Sequence, residues 1–376
     1  MKMTREMFVS VFLAAAATDA VAQNSVTLYG TVDAGIGYVS NSGGKSKVEM
    51  TSGVMSTPRW GLRGVEDLGS GLSTIFQLEN GFNIGTGKLN NGGREFGRQA
   101  FVGLSQTNYG RITLGRQYDP IRDLIQPITG DGQFGGMMTP GDVDNNDNDL
   151  RFDNSVKYVS PVFSGLQVEA MYALGGVSGS FTTGSGYAGA VLYSNNGLNL
   201  AGGYFFVKND NLASSTTGGF IGDSSLTAFA SSPGSFQTAH AAASYLIGKA
   251  TVGVRYSNSQ YKPYGATLNF PTTAKFNVGG TYLTYQFAPD VKATVNYVYT
   301  GETGVSSAHW NQMNLGVDYL LSKATDIYAI AGYTKASGQM RINGVLVQAQ
   351  GNVGDFDIAS SNTKQAIASI GLRHKF

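Results

Sequence analysis

The sequence predicts an all-β fold, a sixteen-stranded antiparallel transmembrane β-barrel. Three observations lead to this prediction: an N-terminus typical of exported proteins, repeated runs in which polar and apolar residues alternate, and connections that alternate between short and long. The chain has 376 residues, with 52 glycines, 20 tyrosines, 20 phenylalanines and no cysteine. Its 41% hydrophobic and 11% aromatic content argues for an ordered chain.

The N-terminus has the features of an export signal. Basic residues open the chain, residues 7–17 form an apolar run, and Ala20-Val21-Ala22 supplies small residues for cleavage. We therefore expect residues 1–22 to be a signal peptide and residues 23–376 to form the mature barrel domain. No later run reaches the roughly 18 apolar residues that a membrane-spanning helix requires. An exported chain of this kind is either a soluble secreted protein or a closed barrel.

The alternating runs indicate strands with one apolar and one polar face. In the first run, Val26, Leu28 and Ile36 share one face, while Thr27 and Asp33 share the other. The pattern returns along the chain to its last residues. In a membrane-spanning barrel of this type the apolar face meets lipid and the polar face lines a water-filled lumen. Near residues 276–287 the apolar residues change parity, which predicts a β-bulge or a local exception.

The connections between the runs are of two kinds, as in a transmembrane barrel with turns at one end and loops at the other. Tight turns are predicted at 67–69, 108–110, 195–197, 247–249, 288–290 and 322–324. Longer polar loops are predicted at 41–56, 83–96, 119–150, 209–236, 258–274, 301–309 and 337–363. The runs and connections together predict sixteen strands, to within about two.

Charge and histidine content bear on the classes of function. A net charge of +1 gives no reason to expect a nucleic-acid partner. His240, His309 and His374 show no recognisable nucleophile or metal spacing, so we predict no enzyme and no cofactor. The acidic run 142–147 partly resembles a calcium loop. It lacks the glycine at the sixth position and the glutamate at the twelfth, so no metal site is predicted.

Several stretches together resemble the strands of Gram-negative general diffusion porins, the trimeric sixteen-stranded barrels of the outer membrane. These stretches are SVTLYG at 25–30, PRWGLRGVEDLG at 58–69, RQAFVGL at 98–104, GRITLGR at 110–116, NSVKY at 154–158 and GLRHKF at 371–376. Each motif is weak alone, but the combination is specific and spans the predicted mature chain.

The resemblance implies a function and a set of partners. The function is a water-filled channel for passive diffusion of small hydrophilic solutes and ions. The partners are two further copies of the chain in a homotrimer, outer-membrane lipid and lipopolysaccharide, and the barrel-assembly machinery. Phe376 resembles the C-terminal aromatic residue that this machinery reads. As an aromatic end of an amphipathic strand, it could also pair with a sheet edge.

The resemblance also implies that the third long loop folds into the pore and forms a constriction. Residues 119–150 occupy that place in the chain. Phe134, Gly135 and Gly136 are similar to the loop-tip motif of the family. Gln133 precedes them where many relatives carry an acidic residue, which leaves the charge at the loop tip open.

Charged residues suggest how such a constriction would act. Residues 119–150 contain seven aspartates and one arginine, and several arginines lie on or near neighbouring strands. An arginine side chain that faced lipid near the bilayer midplane would destabilise the barrel by about 2–4 kcal/mol. We therefore expect these arginines to face the lumen. We expect Arg59, Arg98 and Arg151, with Arg63 and Arg116, to form a basic wall. Asp123 and Asp131 are the expected acidic side, and the resulting field would orient dipolar solutes and ions.

Three alternatives are compatible with the sequence. One is a substrate-selective channel for an anion such as phosphate. Another is a barrel that acts mainly as an adhesin or receptor through its long loops. The third is a soluble secreted β-protein. The sign of the ion selectivity does not follow from a net charge of +1, because the charges at the constriction decide it.

Overall fold

The computed structural model of the chain describes residues 24–135, 139–147, 150–208, 226–230, 233–354 and 358–376. The expected signal peptide, residues 1–22, lies outside the described residues. Within the described part, no helix is long and apolar enough to cross a membrane.

The described chain consists mainly of β-strands. The strands are β1 (Ser25–Ser42), β2 (Lys45–Ser52), β3 (Arg59–Gly69), β4 (Leu72–Gly81), β5 (Gln99–Gln106), β6 (Gly110–Gln117), β7 (Phe152–Val159), β8 (Leu166–Ala173), β9 (Gly186–Asn195), β10 (Leu198–Lys208), β11 (Ser235–Ile247), β12 (Ala250–Lys262), β13 (Ala274–Ala288), β14 (Val291–Thr303), β15 (His309–Leu320), β16 (Thr325–Ser337), β17 (Gln339–Ile342), β18 (Val345–Gln348) and β19 (Lys364–Lys375). The α-helices are α1 (Pro120–Leu124) and α2 (Gly130–Phe134), and short 3-10 helices occupy Gln126–Ile128, Pro140–Asp142 and Ala228–Ala230.

The strands close into a barrel with sixteen positions, as predicted. Each barrel strand pairs antiparallel with its neighbours, and β19 pairs with β1 in a register that places Ile370 opposite Ile36. Strands β2 and β3 pair with successive parts of β1 and together fill one position. Strands β17 and β18 form a separate hairpin outside the barrel sheet. Closure satisfies the backbone hydrogen bonds that lipid cannot satisfy.

The barrel is apolar outside, which confirms the predicted orientation of its side chains. Val26 is 66% exposed, Leu28 is 58% exposed and Leu315 is 54% exposed. Polar residues on the opposite face of the strands, such as Asn314 and Thr294, are buried inside the barrel. Since these large apolar side chains lie on the outer surface, the soluble alternative would leave a continuous apolar face in water.

Short turns join the strands at one end of the barrel, the turn side, and longer loops join them at the other, the loop side. Five of the six predicted tight turns join strands on the turn side; at one of them Asn196 and Gly197 have φ angles of 47° and 83°. The sixth, 67–69, lies at the end of β3, and the turn follows at 70–71; the β7–β8 connection at 160–165 was missed. The predicted loop at 41–56 is wrong, because β1 continues to Ser42 and pairs with β2 around a Gly43-Gly44 turn. The loop at 337–363 contains the β17–β18 hairpin, and the loop at 174–185 was missed.

The parity change in β13 does not mark a bulge. Phe276, Val278 and Tyr282 are buried on the inner face, and their pairing with β12 and β14 runs in continuous register. The register shifts only at Gln286 and Ala288, next to the turn. The local exception that the sequence also allowed is correct: the inner face itself becomes apolar there.

This apolar inner face extends from β7 to β15 at the loop-side ends of the strands. Phe152, Phe205 and Phe236 are almost fully buried on it, and Phe205 makes edge contacts with both other rings, at centroid distances of 5.7 and 5.3 Å. Phe276 and Trp310 continue the layer. The expectation of a polar inner face along every strand is therefore wrong for this half of the barrel. What packs against it is the segment between β6 and β7.

Candidate functional site

Residues 119–150, which we call the inner loop, begin with a capped helix. The Asp119 carboxylate accepts hydrogen bonds from the backbone N–H groups of Ile121 and Arg122, at 2.8 and 3.2 Å, and Pro120 occupies the first helical position. Such a cap satisfies donors that the helix leaves free. Helix α1 therefore begins at Pro120, shortly after the end of β6.

One face of the inner loop is apolar and packs against the apolar inner face of the barrel. Ile121, Leu124, Ile125 and Val143 are each at most 3% exposed and belong to the same core cluster as the buried aromatic residues of the wall. Burying side chains of this size stabilises the contact by about 1.5–3 kcal/mol each, as an upper estimate. The apolar residues of the inner loop thus fasten it to one half of the lumen.

Polar contacts fix the same face of the inner loop. Asp144 is fully buried; it accepts hydrogen bonds from Arg255 at 2.6 Å and from Ser257 at 2.5 Å. Tyr261 donates to the Val143 carbonyl, at 3.0 Å. All three partners belong to β12, so a single strand of the wall holds this part of the inner loop in place.

The tip of the inner loop is held at a second place. The Phe134 ring is 1% exposed and fills the space above Gly316, where an added Cβ would lie 2.0 Å from a ring carbon. At Gly135, with φ of 53°, a Cβ would meet the Met55 backbone at 2.5 Å. Gly136, the third residue of the predicted tip, lies outside the described residues.

The opposite face of the inner loop borders a cavity of about 420 Å³, which we call the basic cavity. Its lining residues are Gly53, Val54, Met55, Ser56, Thr57, Arg59, Arg98, Arg122, Gln126, Asp131, Gly132, Gln133, Gly135, Asp147, Arg151, Lys292, Arg373 and Lys375. Among these described residues, seven side chains are basic and two are acidic. The cavity is therefore strongly cationic.

The structure brings Arg59, Arg98 and Arg151 together at the basic cavity. Arg98 donates from Nε to Glu79 Oε1 at 2.7 Å, and Arg59 Nε lies 3.9 Å from the other oxygen of the same carboxylate. Tyr29 donates a further hydrogen bond to Glu79, at 2.9 Å. Two like charges about 5 Å apart repel by roughly 3 kcal/mol at an effective dielectric constant of 20, so a shared carboxylate stabilises this cluster.

The other two arginines of the predicted wall lie elsewhere. Arg63 is exposed nearer the turn side, where its guanidinium stacks over the Tyr29 ring at 5.4 Å. Arg116 pairs with Asp153 at 2.5 Å and donates to the Gly97 carbonyl at 2.8 Å. Neither side chain lines the basic cavity.

The aspartates of the inner loop do not form one acidic surface. Asp123 pairs with Lys157 on β7 at 2.6 Å and with Arg122 at 3.3 Å, and it does not line the basic cavity. Asp131 lines the cavity together with Asp147. Burial raises the pKa of Asp131 above its ordinary value. The side of the cavity formed by the inner loop is thus less acidic than its aspartate content suggests.

Sequence reasoning missed several residues of the basic cavity. Lys292 on β14, and Arg373 and Lys375 on β19, alternate with outward apolar residues, but nothing in the sequence connects them to the constriction. In the structure, buried carboxylates stand close to them: Asp318 lies 3.6 Å from Lys292, and Asp326 lies 3.0 Å from Arg373. Parity gives the face of a strand, but not which strands border the same cavity.

Arg122, Tyr118 and Glu79 were also missed as parts of this site. Arg122 was noted only as the single arginine of an acidic segment, and Glu79 has no neighbour in sequence that marks it. Tyr118 lies directly before the helix cap and is 2% exposed. Only the folded chain brings these side chains to the same place.

Phe376 takes part in closing the barrel. Its backbone exchanges two hydrogen bonds with Gly30, at 2.9 and 3.1 Å. An added Cβ at Gly30 would lie 2.4 Å from the Phe376 ring, which therefore covers this glycine on the outer face. The last residue thus completes the pairing between β19 and β1.

The three histidines lie on different strands. His240 on β11 contacts the Asp144 carbonyl at 2.9 Å, His309 on β15 contacts the Tyr299 hydroxyl, and His374 lies on β19. Among the described residues, no group of three or more histidines, aspartates or glutamates could hold a metal ion.

Comparisons with known proteins agree with this architecture. Residues 9–339 match the family model described as Gram-negative porin. An outer membrane porin protein of Bordetella pertussis is 37% identical over 230 residues, which are 57% of this chain and 55% of that protein. Outer membrane porin protein 32 of Delftia acidovorans is 28% identical over 392 residues, which cover 99% of this chain and 100% of that protein.

Among solved structures, the anion-selective porin from Comamonas acidovorans superimposes with a TM-score of 0.72 at 24% identity, over 94% of this chain and 100% of that chain. This likeness shows a shared fold. The chain matches about half of the length of the Bordetella relative and the full length of the Delftia relative.

The contact between Asp144 and Arg255 provides a test of how the inner loop is held. We expect Arg255→Met to destabilise the protein by about 3–5 kcal/mol, because it leaves a buried carboxylate without its cation. The double variant Arg255→Met with Asp144→Leu should recover most of this loss, since neither charge is then buried. The free energy of unfolding of the single and the double variant is measured by denaturant titration in lipid vesicles. Equal stability of the single variant and the unmodified protein would contradict the anchoring role.

Proposed function

The chain belongs to the Gram-negative porin family, and from this premise we propose that it forms a water-filled outer-membrane channel for small hydrophilic solutes that favours anions. The observation behind this proposal is the excess of basic side chains around the basic cavity, seven against two acidic ones among the described residues. The Comamonas acidovorans porin with the same fold is also anion-selective.

The preference for anions follows from where the charges stand. A narrow passage with low-dielectric walls concentrates the field of the charges that line it. Here the basic head groups face the cavity, while Glu79, Asp318 and Asp326 are each at most 4% exposed behind them. A permeating ion therefore meets the cations at closer range than the carboxylates.

The inner loop, residues 119–150, is the proposed constriction. Its apolar face occupies one half of the lumen, and its other face borders the basic cavity. Arg59, Arg98 and Arg151 would form the basic side of the narrow zone, together with Arg122, and Asp131 would be its main acidic residue. Arg63 and Arg116 would act outside this zone.

A second candidate function is selective binding of an oxyanion such as phosphate. It is favoured by the five arginines that line one cavity, because guanidinium groups match oxyanions with paired hydrogen bonds. Block of the chloride current by low concentrations of phosphate would support this function over general diffusion.

We also propose a homotrimer, as in the general porins that the sequence resembles, with outer-membrane lipid and lipopolysaccharide around it. Residues 1–22 would be removed on export, and Phe376 would serve as the signal for the barrel-assembly machinery. Protein extracted from outer membranes should begin at Gln23 and migrate as a heat-sensitive trimer before boiling. An intact N-terminus or a monomer under mild conditions would contradict these assignments.

The anion preference predicts a measurable reversal potential. In a potassium chloride gradient across a planar bilayer, the unmodified channel should favour chloride. Arg59→Glu or Arg98→Glu should each lower the chloride-to-potassium permeability ratio by roughly tenfold, because each replaces a cation of the narrow zone by an anion in a site where the field is focused.

Arg63→Glu is the matched control for this measurement. It makes the same change of charge at an inward position outside the basic cavity, so its effect on the permeability ratio should be much smaller. A cation-selective unmodified channel, or equal effects of all three substitutions, would contradict the placement of the filter at the basic cavity.

A further inference from the structure

Three of the arginines at the basic cavity surround one aromatic ring. The guanidinium carbons of Arg122, Arg151 and Arg98 lie over the Tyr118 ring at 4.6, 4.9 and 5.7 Å from its centroid. Arg151 Nη2 also lies 3.4 Å from the Tyr118 hydroxyl. These arginines come from three separate parts of the chain: the residue before β5, helix α1 and the residue before β7.

The Tyr118 ring is itself held firmly. It is 2% exposed, and its carbonyl accepts a hydrogen bond from Lys157 Nζ at 3.0 Å. On one side in sequence, the Gln117 side chain accepts from Thr113 at 2.6 Å. On the other side, Asp119 caps α1. The backbone on both sides of the ring is therefore fixed by buried contacts.

A buried aromatic ring can stabilise several cations that would otherwise repel each other. The face of the ring carries a partial negative charge, and its attraction for a guanidinium grows when water is excluded. Arginine also stacks on aromatic faces through its planar head group. Glu79 pairs with Arg98, and Asp123 pairs with Arg122, and the ring adds its own attraction to that of these carboxylates.

We propose that Tyr118 is a positioning residue of the ion filter, whose ring holds Arg98, Arg122 and Arg151 at the wall of the basic cavity. The proposal rests on the anion preference proposed above, and it adds a neutral residue to a filter defined until now by charge. A leucine at this position would keep a buried apolar side chain but would remove the aromatic ring, so that the three guanidinium groups could move apart.

The test compares Tyr118→Leu with Tyr118→Phe in the full-length channel. Tyr118→Leu should lower the chloride-to-potassium permeability ratio by roughly threefold, the size expected for loss of one cation–π cluster. Tyr118→Phe keeps the ring and should stay close to the unmodified channel. Tyr109→Leu, at an exposed turn tyrosine, is the matched control and should change nothing. Heat-modifiable migration checks that each variant is folded.

A double-variant comparison separates positioning from general packing. In a channel that already carries Arg151→Gln, Tyr118→Leu should have a smaller effect on the permeability ratio, because one partner of the ring is gone. An unchanged ratio in Tyr118→Leu, an equal fall in Tyr118→Phe, or fully additive effects with Arg151→Gln would overturn the proposal.

Crystal structures of the unmodified channel and of Tyr118→Leu test the role of the ring separately from the proposed function, because they show the positions of the guanidinium groups directly. An unmodified channel without anion preference would refute the proposed function. The positions of Arg122 and Arg151 in Tyr118→Leu would still decide the role of the ring. Guanidinium groups that stay in place without it would overturn the positioning role, and displaced groups would support it.

Discussion

The packing of the inner loop against the apolar inner face of β7–β15 is the contact on which the rest of this structure depends. A sixteen-stranded barrel with polar residues on every inward position would enclose a wide, water-filled lumen. Here one half of the lumen is filled by a dry core that includes Ile121, Leu124, Phe205 and Phe236. The basic cavity borders the remaining wall, on strands such as β3, β14 and β19, and under the proposed function water and ions pass there. The packing of the inner loop therefore determines both the width of the passage and the charges that border it.

The charges of the passage are arranged in two layers. Arginines and lysines face the basic cavity, and carboxylates such as Glu79 and Asp326 lie behind them at hydrogen-bonding distance. The carboxylates and the Tyr118 ring reduce the repulsion between neighbouring cations without occupying the passage. This arrangement explains how a chain with a net charge of only +1 can present a strongly cationic cavity. The net charge of the sequence says little about the charge at the basic cavity. The effect of each charged side chain depends on where it lies relative to the passage.

The fold could be predicted from local patterns, and the site only in part. Alternation along each strand, as at Val26 and Leu28, gave the strand count and the outward face, because period two is a property of single strands. The same reasoning left a bulge and a local exception open at Phe276, because the core that this inward residue joins includes inner-loop residues far away in sequence. It also assigned the aspartates of the inner loop to one surface. Asp119 caps a helix, a local contact for which an Asp before Pro120 is a signal in the sequence. Asp144 pairs with Arg255, a contact that depends on tertiary structure and leaves no local signal.

The claim that the inner loop is a fixed part of the wall can be tested with a reversible tether. A Cβ at Gly130 in α2 would lie 3.3 Å from the Cβ of Tyr282 on β13, close to the separation of about 3.5–4.5 Å in disulfides, and the chain has no other cysteine. The measurement is single-channel conductance and reversal potential of Gly130→Cys/Tyr282→Cys, before and after reduction. A permanently anchored inner loop predicts the same values in both states. A conductance that changes on reduction, or closures that appear only without the disulfide, would contradict the account.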